Sequence, residues 1–243
     1  MTIMQHMIYG NTVISYSVKY SSKRKTMSIQ VSEKGITIIA PSNTAPSRIE
    51  EILQKKATWI IKQLADFEEI YDYEEKLQFQ AGEKLPYLGR HYRLKINKDN
   101  VPTAALIFKQ GKFIVTIPTT ITVEHHREIL YPLYKEWVMK KAENIAMERV
   151  KQFERQSTLK AKSIKIKDQQ QRWGSCTASG NIILNWKIFL APMPIVDYVI
   201  AHELAHLKHL DHSPAYWETL QMIYPEYENS KEWLRLNGRK LEV

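Results

Sequence analysis

Two histidines four residues apart are the strongest chemical signal in this sequence. His202 and His206 lie in a stretch with helical apolar spacing, and residues four apart share one face of a helix. Imidazoles on successive turns can bind one Zn²⁺ ion, with Zn–N distances of about 2.0–2.1 Å. Glu203 follows the first histidine, where its carboxylate can accept a proton from a zinc-activated water. The spacing therefore predicts a metal-dependent hydrolase site.

A third histidine completes the predicted ligand set. His212 lies six residues after His206, so a continuous helix would point it away from the ion. Ser213 and Pro214 form a helix start, with serine as N-cap and proline in the first turn. They predict that the preceding helix ends near Leu210 and that the turn returns His212 to the metal. Three protein ligands with one open position are typical of catalytic zinc.

Other side chains compete for the third-ligand position. His209 lies about 10 Å along the helix from His202, at about 1.5 Å per residue, and we interpret it as a residue that surrounds the site or lies at the surface. A downstream carboxylate, Glu226 or Glu228, is an alternative that ranks below His212. The histidine spacing also equals that of the metzincins, which have glycine where this chain has His209, so we interpret the equality as a coincidence of similar chelation.

Alternation and turn signals predict an α+β chain without an internal sequence repeat. Ser47 and Glu50 form a capping-box pattern that opens a helix to about Glu69. The apolar face of this helix consists of Ile49, Leu53, Ala57, Ile60 and Leu64. Further helices are predicted over residues 122–156, 195–210 and from 213 onward. Strands are predicted over residues 12–19, 26–31, 36–40, 92–96, 104–109, 112–117, 163–167 and 181–186.

Composition restricts the class of protein. The chain has 243 residues, 44% of them hydrophobic, and a single cysteine, so an intramolecular disulfide is excluded. The most apolar long stretch, residues 182–201, contains Lys187, Asp197 and two prolines, which argues against a membrane span. Residues 1–10 do not resemble a signal peptide. A cytoplasmic protein is therefore expected.

Positive charge is concentrated in one part of the chain. The net charge is +9, and residues 135–172 contain eleven Lys and Arg against five Asp and Glu. Such a surplus favours acidic partners, including nucleic acid. A solvated helix face is the simpler and preferred interpretation.

Four blocks of the sequence resemble the YgjP-like metallopeptidases, compact zincins related to the SprT-like metalloproteases. The order and spacing of the blocks match over residues 162–233, the N-terminal region is also similar, and residues 82–156 match loosely. The blocks are residues 172–176 (RWGSC), 180–185 (GNIILN), 197–207 (DYVIAHELAHL) and 211–213 (DHS), followed by Trp217. The resemblance implies a zincin-like fold, in which a small twisted sheet accompanies an active-site helix and a long backing helix.

The motif and the resemblance together predict a zinc metallopeptidase. Residues 82–243 would form the zincin-like domain and residues 1–81 a β-hairpin plus helix region, although a single domain is also compatible. Glu203 would act as general base, with Zn²⁺ on the three histidines. An extended substrate would lie along a sheet edge and pair with a strand near residues 181–185. The alternatives are a DNA-associated protease of SprT-like type and a non-catalytic binding module that contains zinc.

Several residues near the predicted site have open roles. We interpret Trp173 and Trp217 as core residues, Gly174 as a bend or a close backbone approach, and Cys176 as a small buried residue. Arg172 is equally compatible with an ion pair and with binding negative charge of the substrate. Two tyrosines lie near enough in sequence to donate to an oxyanion, and the sequence does not choose between them; they are Tyr216 and Tyr224.

Overall fold

The computed structural model describes residues 4–10, 12–32, 35–71, 77–170 and 172–243. Contacts between Cα atoms divide the chain into two compact units, Met1–Glu74 and Glu75–Val243. This division falls before the boundary after residue 81 that the sequence suggests. No helix in the described parts of the chain combines the length and the apolarity that crossing a bilayer requires.

The first unit is a four-stranded sheet followed by a long helix. Its elements are β1 (Met4–Tyr9), β2 (Thr12–Ser21), β3 (Ser28–Ser32), β4 (Gly35–Pro41) and α1 (Pro46–Tyr71). The strand order is β1-β2-β4-β3, with β2 and β4 parallel and the two outer pairings antiparallel. In this order β1 and β3 are the edge strands.

Alternation along the strands and helical spacing along α1 build the core of this unit. Ile36, Ile38 and Ala40 point to the same side of β4 and are buried, as expected for a two-residue period. The predicted face of α1 meets them: Ile49, Leu53, Ala57 and Ile60 are buried, and Leu64 packs at the margin of the cluster.

The second unit contains two sheets and four α-helices in its described part. The strands are β5 (Lys84–Tyr87), β6 (Arg90–Asp99), β7 (Ala105–Lys109), β8 (Lys112–Pro118), β9 (Ser163–Lys167), β10 (Gly174–Cys176) and β11 (Asn181–Asn185). The helices are α2 (His126–Gln156), α3 (Met193–Ala205), α4 (Pro214–Ile223) and α5 (Tyr227–Asn237). The α+β class predicted from the sequence is confirmed.

The two four-stranded sheets share one topology. The second has the order β5-β6-β8-β7, with β6 and β8 parallel and the outer pairings antiparallel, and it too precedes a long helix. The strands β2 and β6 each have 10 residues, β3 and β7 each have 5, and β4 and β8 each have 7. The fold therefore contains a structural repeat that the sequence does not display, because a sheet face requires only alternating apolar residues of compatible size.

The three-stranded sheet and α2 position α3, the helix that carries the histidine motif. The strand order is β10-β11-β9, and α2 packs against both β9 and α3. Arg149 of α2 binds Asp197 of α3 through two hydrogen bonds, Nε to Oδ1 at 2.6 Å and Nη2 to Oδ2 at 2.5 Å. A bidentate pair of this kind fixes orientation as well as distance. Consequently α3 is held against the long helix in one rotational setting.

Candidate metal centre

The helix α3 ends within the histidine motif. Its last residue is Ala205, whereas the sequence suggested an end near Leu210. Tighter turns follow, with Leu207 N donating to Leu204 O at 3.0 Å and Lys208 N to Ala205 O at 3.1 Å. The early end shortens the path that the chain needs to return His212 towards the helix.

Three imidazoles converge at this helix end. One possible ligand atom from each of His202, His206 and His212 can be chosen so that all three atoms lie within 4.8 Å of one another. The Nε2 atoms of His202 and His212 are 3.3 Å apart. Ligand nitrogens at two corners of a tetrahedron with Zn–N distances of about 2.0–2.1 Å are separated by about 3.3–3.4 Å. The separation of these two nitrogens therefore matches two corners of a tetrahedral site.

Hydrogen bonding defines the donor atom of one of these rings. His206 Nδ1 lies 2.9 Å from the backbone oxygen of His209. A carbonyl oxygen only accepts, so Nδ1 carries the proton and the lone pair of Nε2 is left for a metal. His202 Nδ1 is buried and has no hydrogen-bond partner among the described residues.

An aromatic wall holds the imidazoles in place. The buried ring of Tyr216 lies 4.6 Å from the ring of His206 and 4.8 Å from that of His212, centroid to centroid. Its hydroxyl donates to His202 O at 3.3 Å. Trp217 donates from Nε1 to His212 O at 3.1 Å and so fixes the turn that carries the third histidine.

Glu203 is buried beside the three histidines and is 4% exposed. Burial raises the pKa of its carboxyl to about 8, while the positive charge of Arg172 lowers it. Burial of His202, together with the nearby His206, His212 and Lys231, lowers the pKa of its imidazole to about 3. At neutral pH this histidine is therefore an uncharged imidazole, the form that binds a metal.

Gly174 provides the space for this carboxylate. A Cβ atom at position 174 would lie 2.6 Å from Glu203 Oε1 and 2.8 Å from its Cγ, both closer than such atoms approach. Gly174 is the first residue of β10, so the strand passes directly against the glutamate. Of the two interpretations of Gly174, a bend and a close backbone approach, the structure shows the close approach, and the group that it approaches is the Glu203 side chain.

The other residues considered from the sequence lie elsewhere or are engaged. His209 contributes its backbone oxygen to His206, and its imidazole is outside the histidine cluster of the described residues. Two glutamates and one tyrosine are bonded to other groups: Glu226 accepts from Asn229 at 2.9 Å, Glu228 from the Tyr227 hydroxyl at 3.3 Å, and the Tyr224 hydroxyl donates to Pro194 O at 3.0 Å.

The sequence model of the family described as "YgjP-like, metallopeptidase domain" matches residues 25–237. The chain belongs to the YgjP-like family. It is therefore a metal-dependent peptidase, as predicted from the motif blocks.

Among solved structures, this YgjP-like chain is similar to the metallopeptidase zymogen of abylysin from Pyrococcus abyssi. The two are 20% identical, the match covers 40% of this chain and 91% of that chain, and the TM-score is 0.34. No curated protein sequence matches the chain.

Two residues at the candidate site of this YgjP-like peptidase were not predicted from the sequence. Tyr198 precedes His202 by four residues, the ring centroids are 5.9 Å apart, and burial raises the pKa of its hydroxyl to about 12. The i, i+4 relation could have revealed it. Lys231 of α5 places its Nζ 4.2 Å from the ring centroid of Trp217. No sequence spacing indicates that contact, because the two residues lie 14 positions apart on different helices.

Replacing Gly174 by alanine is expected to reduce peptide cleavage strongly without removing the metal. The new methyl group would displace the Glu203 carboxylate, and a misplacement of about 1 Å at a reacting group costs about 10²-fold in rate. Turnover and bound metal should be measured on the same preparation. Ser175→Ala, one residue along β10, is the matched control and should retain activity. Full activity of Gly174→Ala would contradict the role given to this glycine.

Proposed function

We propose that this peptidase binds Zn²⁺ through His202, His206 and His212 and hydrolyses peptide bonds with Glu203 as general base. The observation that carries the proposal is the convergence of three imidazole nitrogens within 4.8 Å at the end of α3. Three ligands leave the fourth position open, which is the arrangement of catalytic rather than structural zinc.

Zn²⁺ on these imidazoles would polarise a peptide carbonyl and lower the pKa of water and of the nearby Glu203 carboxyl. Glu203 then accepts the proton of the attacking water and returns it to the leaving amine. Its burial between α3 and β10 fixes its orientation for both transfers. Hydrogen bonds to backbone engage Tyr216 and Tyr224, so neither hydroxyl is assigned to the oxyanion.

We assign to Arg172 the role of binding negative charge of the substrate or of the oxyanion near Glu203. Within the described residues it makes no ion pair, and its charge acts on the Glu203 carboxyl. The ion pair that the sequence suggested for Arg172 is therefore not found among the described residues. A guanidinium in this position suits a substrate carboxylate or a developing oxyanion.

The substrate is assigned to the edge of β10 rather than to β11. The sequence predicts that the substrate lies along a sheet edge and pairs with a strand near residues 181–185. Among the described strands, β11 is flanked by β10 on one side and β9 on the other, so the sheet edge near these residues is that of β10. The free edge of β10 begins at Gly174, next to Glu203, and an extended peptide can add to it as a further strand.

A nucleic-acid-associated peptidase is the weaker alternative. The basic surplus of residues 135–172 lies mainly on α2 and β9, where Lys135 pairs with Asp168 at 2.5 Å and Arg149 with Asp197 at 2.5 Å. Ion-paired cations contribute less to phosphate binding, because their charge is already compensated.

Removing the metal is expected to abolish cleavage, and Zn²⁺ is expected to restore it. The protein should be dialysed against a chelator and assayed on an unfolded, fluorescence-quenched protein substrate before and after addition of one equivalent of Zn²⁺. Mg²⁺ serves as the control and should not restore activity, since it prefers oxygen ligands to imidazole. Undiminished cleavage by protein shown to contain no metal would overturn the proposal.

A further inference from the structure

A groove of about 600 Å³ lies in the first unit between the helix α1 and the segment that leads into the edge strand β3. Its apolar lining includes Met27 and Ile29 from the strand side and Ile52 from the helix. Trp59, also part of the lining, is 46% exposed. The exposed indole offers an apolar face to a ligand in the groove.

Positive charge lies on the rim of the groove. Lys25, Arg48 and Lys56 line it and are exposed, and no acidic residue belongs to its described lining. Arg48 is paired with Glu51 at 2.5 Å, while the two lysines have no carboxylate partner among the described residues. A ligand that complements this groove is therefore acidic at its margin and apolar at its centre.

The dimensions fit an extended chain. Arg48, Ile52, Lys56 and Trp59 follow one another at steps of four, four and three residues along one face of α1. That face is about 16 Å long at about 1.5 Å per residue, which corresponds to about five residues of a strand. The edge of β3 that is not paired with β4 offers backbone groups to such a strand.

We propose that this groove binds an extended acidic segment of the polypeptide substrate, as a strand added to the edge of β3 and covered by α1. Alternate apolar side chains of the segment occupy the space between Ile29 and Ile52, and its carboxylates meet Lys25 and Lys56. The inference rests on the proposed peptidase function and adds a second substrate contact to it.

Binding should be measured without cleavage, on the full chain in the presence of a chelator. The probe is a fluorescein-labelled peptide of alternating glutamate and valine, followed by anisotropy. Wild type is expected to bind it, and the double variant Lys25→Glu/Lys56→Glu to bind about tenfold more weakly, because two attractive contacts become repulsive. Lys62→Glu, an exposed position of α1 outside the groove lining, makes the same substitution with half of that charge change and should leave binding unchanged.

A second readout separates this inference from the peptidase proposal. In the zinc-loaded enzyme, the double variant should raise KM for an acidic substrate without changing kcat, and should leave a neutral substrate of equal length unaffected. If wild type and double variant bind the peptide equally and cleavage is intact, the groove proposal is overturned and the peptidase proposal stands. Binding of a single-stranded oligonucleotide in place of the peptide, lost in the same variant, also overturns it and identifies a nucleic-acid groove. Melting curves of the variants should match that of wild type.

Discussion

Glu203→Gln is expected to reduce peptide cleavage by about 10²–10⁴-fold while the bound metal is retained. The amide has the size of the carboxylate and fits the space beside Gly174, but it cannot accept a proton from water. The loss should appear in kcat, because the proton transfer belongs to the chemical step and not to substrate binding. Turnover on the unfolded substrate and zinc content by elemental analysis are the two measurements.

Glu218→Gln is the matched control for this change. Glu218 lies exposed on α4 and undergoes the same substitution without a place at the metal centre. It should cleave at the wild-type rate. If Glu203→Gln retained zinc and also turned over at the wild-type rate, another group would have to act as base. Loss of zinc together with activity would instead assign the glutamate to the ligands.

His212→Ala is expected to lose most of its zinc and, with it, all measurable cleavage. Only His202 and His206 remain as ligands in this variant, and two imidazoles bind zinc more weakly than three. The zinc content of purified wild type and variant, each loaded with one equivalent and then passed over a desalting column, gives the comparison. About one zinc per chain is expected for wild type.

His209→Ala distinguishes the two histidines that compete for the third position. The substitution removes the imidazole but keeps the backbone oxygen that accepts from His206 Nδ1, so zinc binding should persist. Retention of zinc by His212→Ala and its loss from His209→Ala would reverse the ligand assignment. Both variants change one histidine in the same turn, so a general effect on folding would affect them alike.

Local spacing explains what the sequence made predictable. The apolar face of α1 followed from three- and four-residue steps, because an amphipathic helix buries one face whatever surrounds it. The strands β6, β7, β8, β9 and β11 followed from alternation and turn residues. The meeting of His202, His206 and His212 followed from helical spacing plus one helix start at Ser213.

Contacts between distant parts of the chain explain what was missed. The strand β10 has only three residues, too few for a periodic pattern, and its position beside Glu203 depends on the sheet that it joins. Nothing in the sequence around Gly174 indicates that Glu203, 29 positions later, fills the space that a side chain at position 174 would need. The earlier end of α3 is likewise set by hydrogen bonds of the turn that follows it, which take the place of one more helical turn.

The repeated sheet topology has a consequence for how this chain can change over time. Each unit buries its own apolar cluster, so substitutions in one core and in the other are expected to affect stability nearly independently. A mutation that reshapes the space between β3 and α1 therefore leaves the packing behind the histidines intact. The sheet and helix of the first unit can therefore accept substitutions more freely. Those of the second unit must keep the packing that holds the histidines in place.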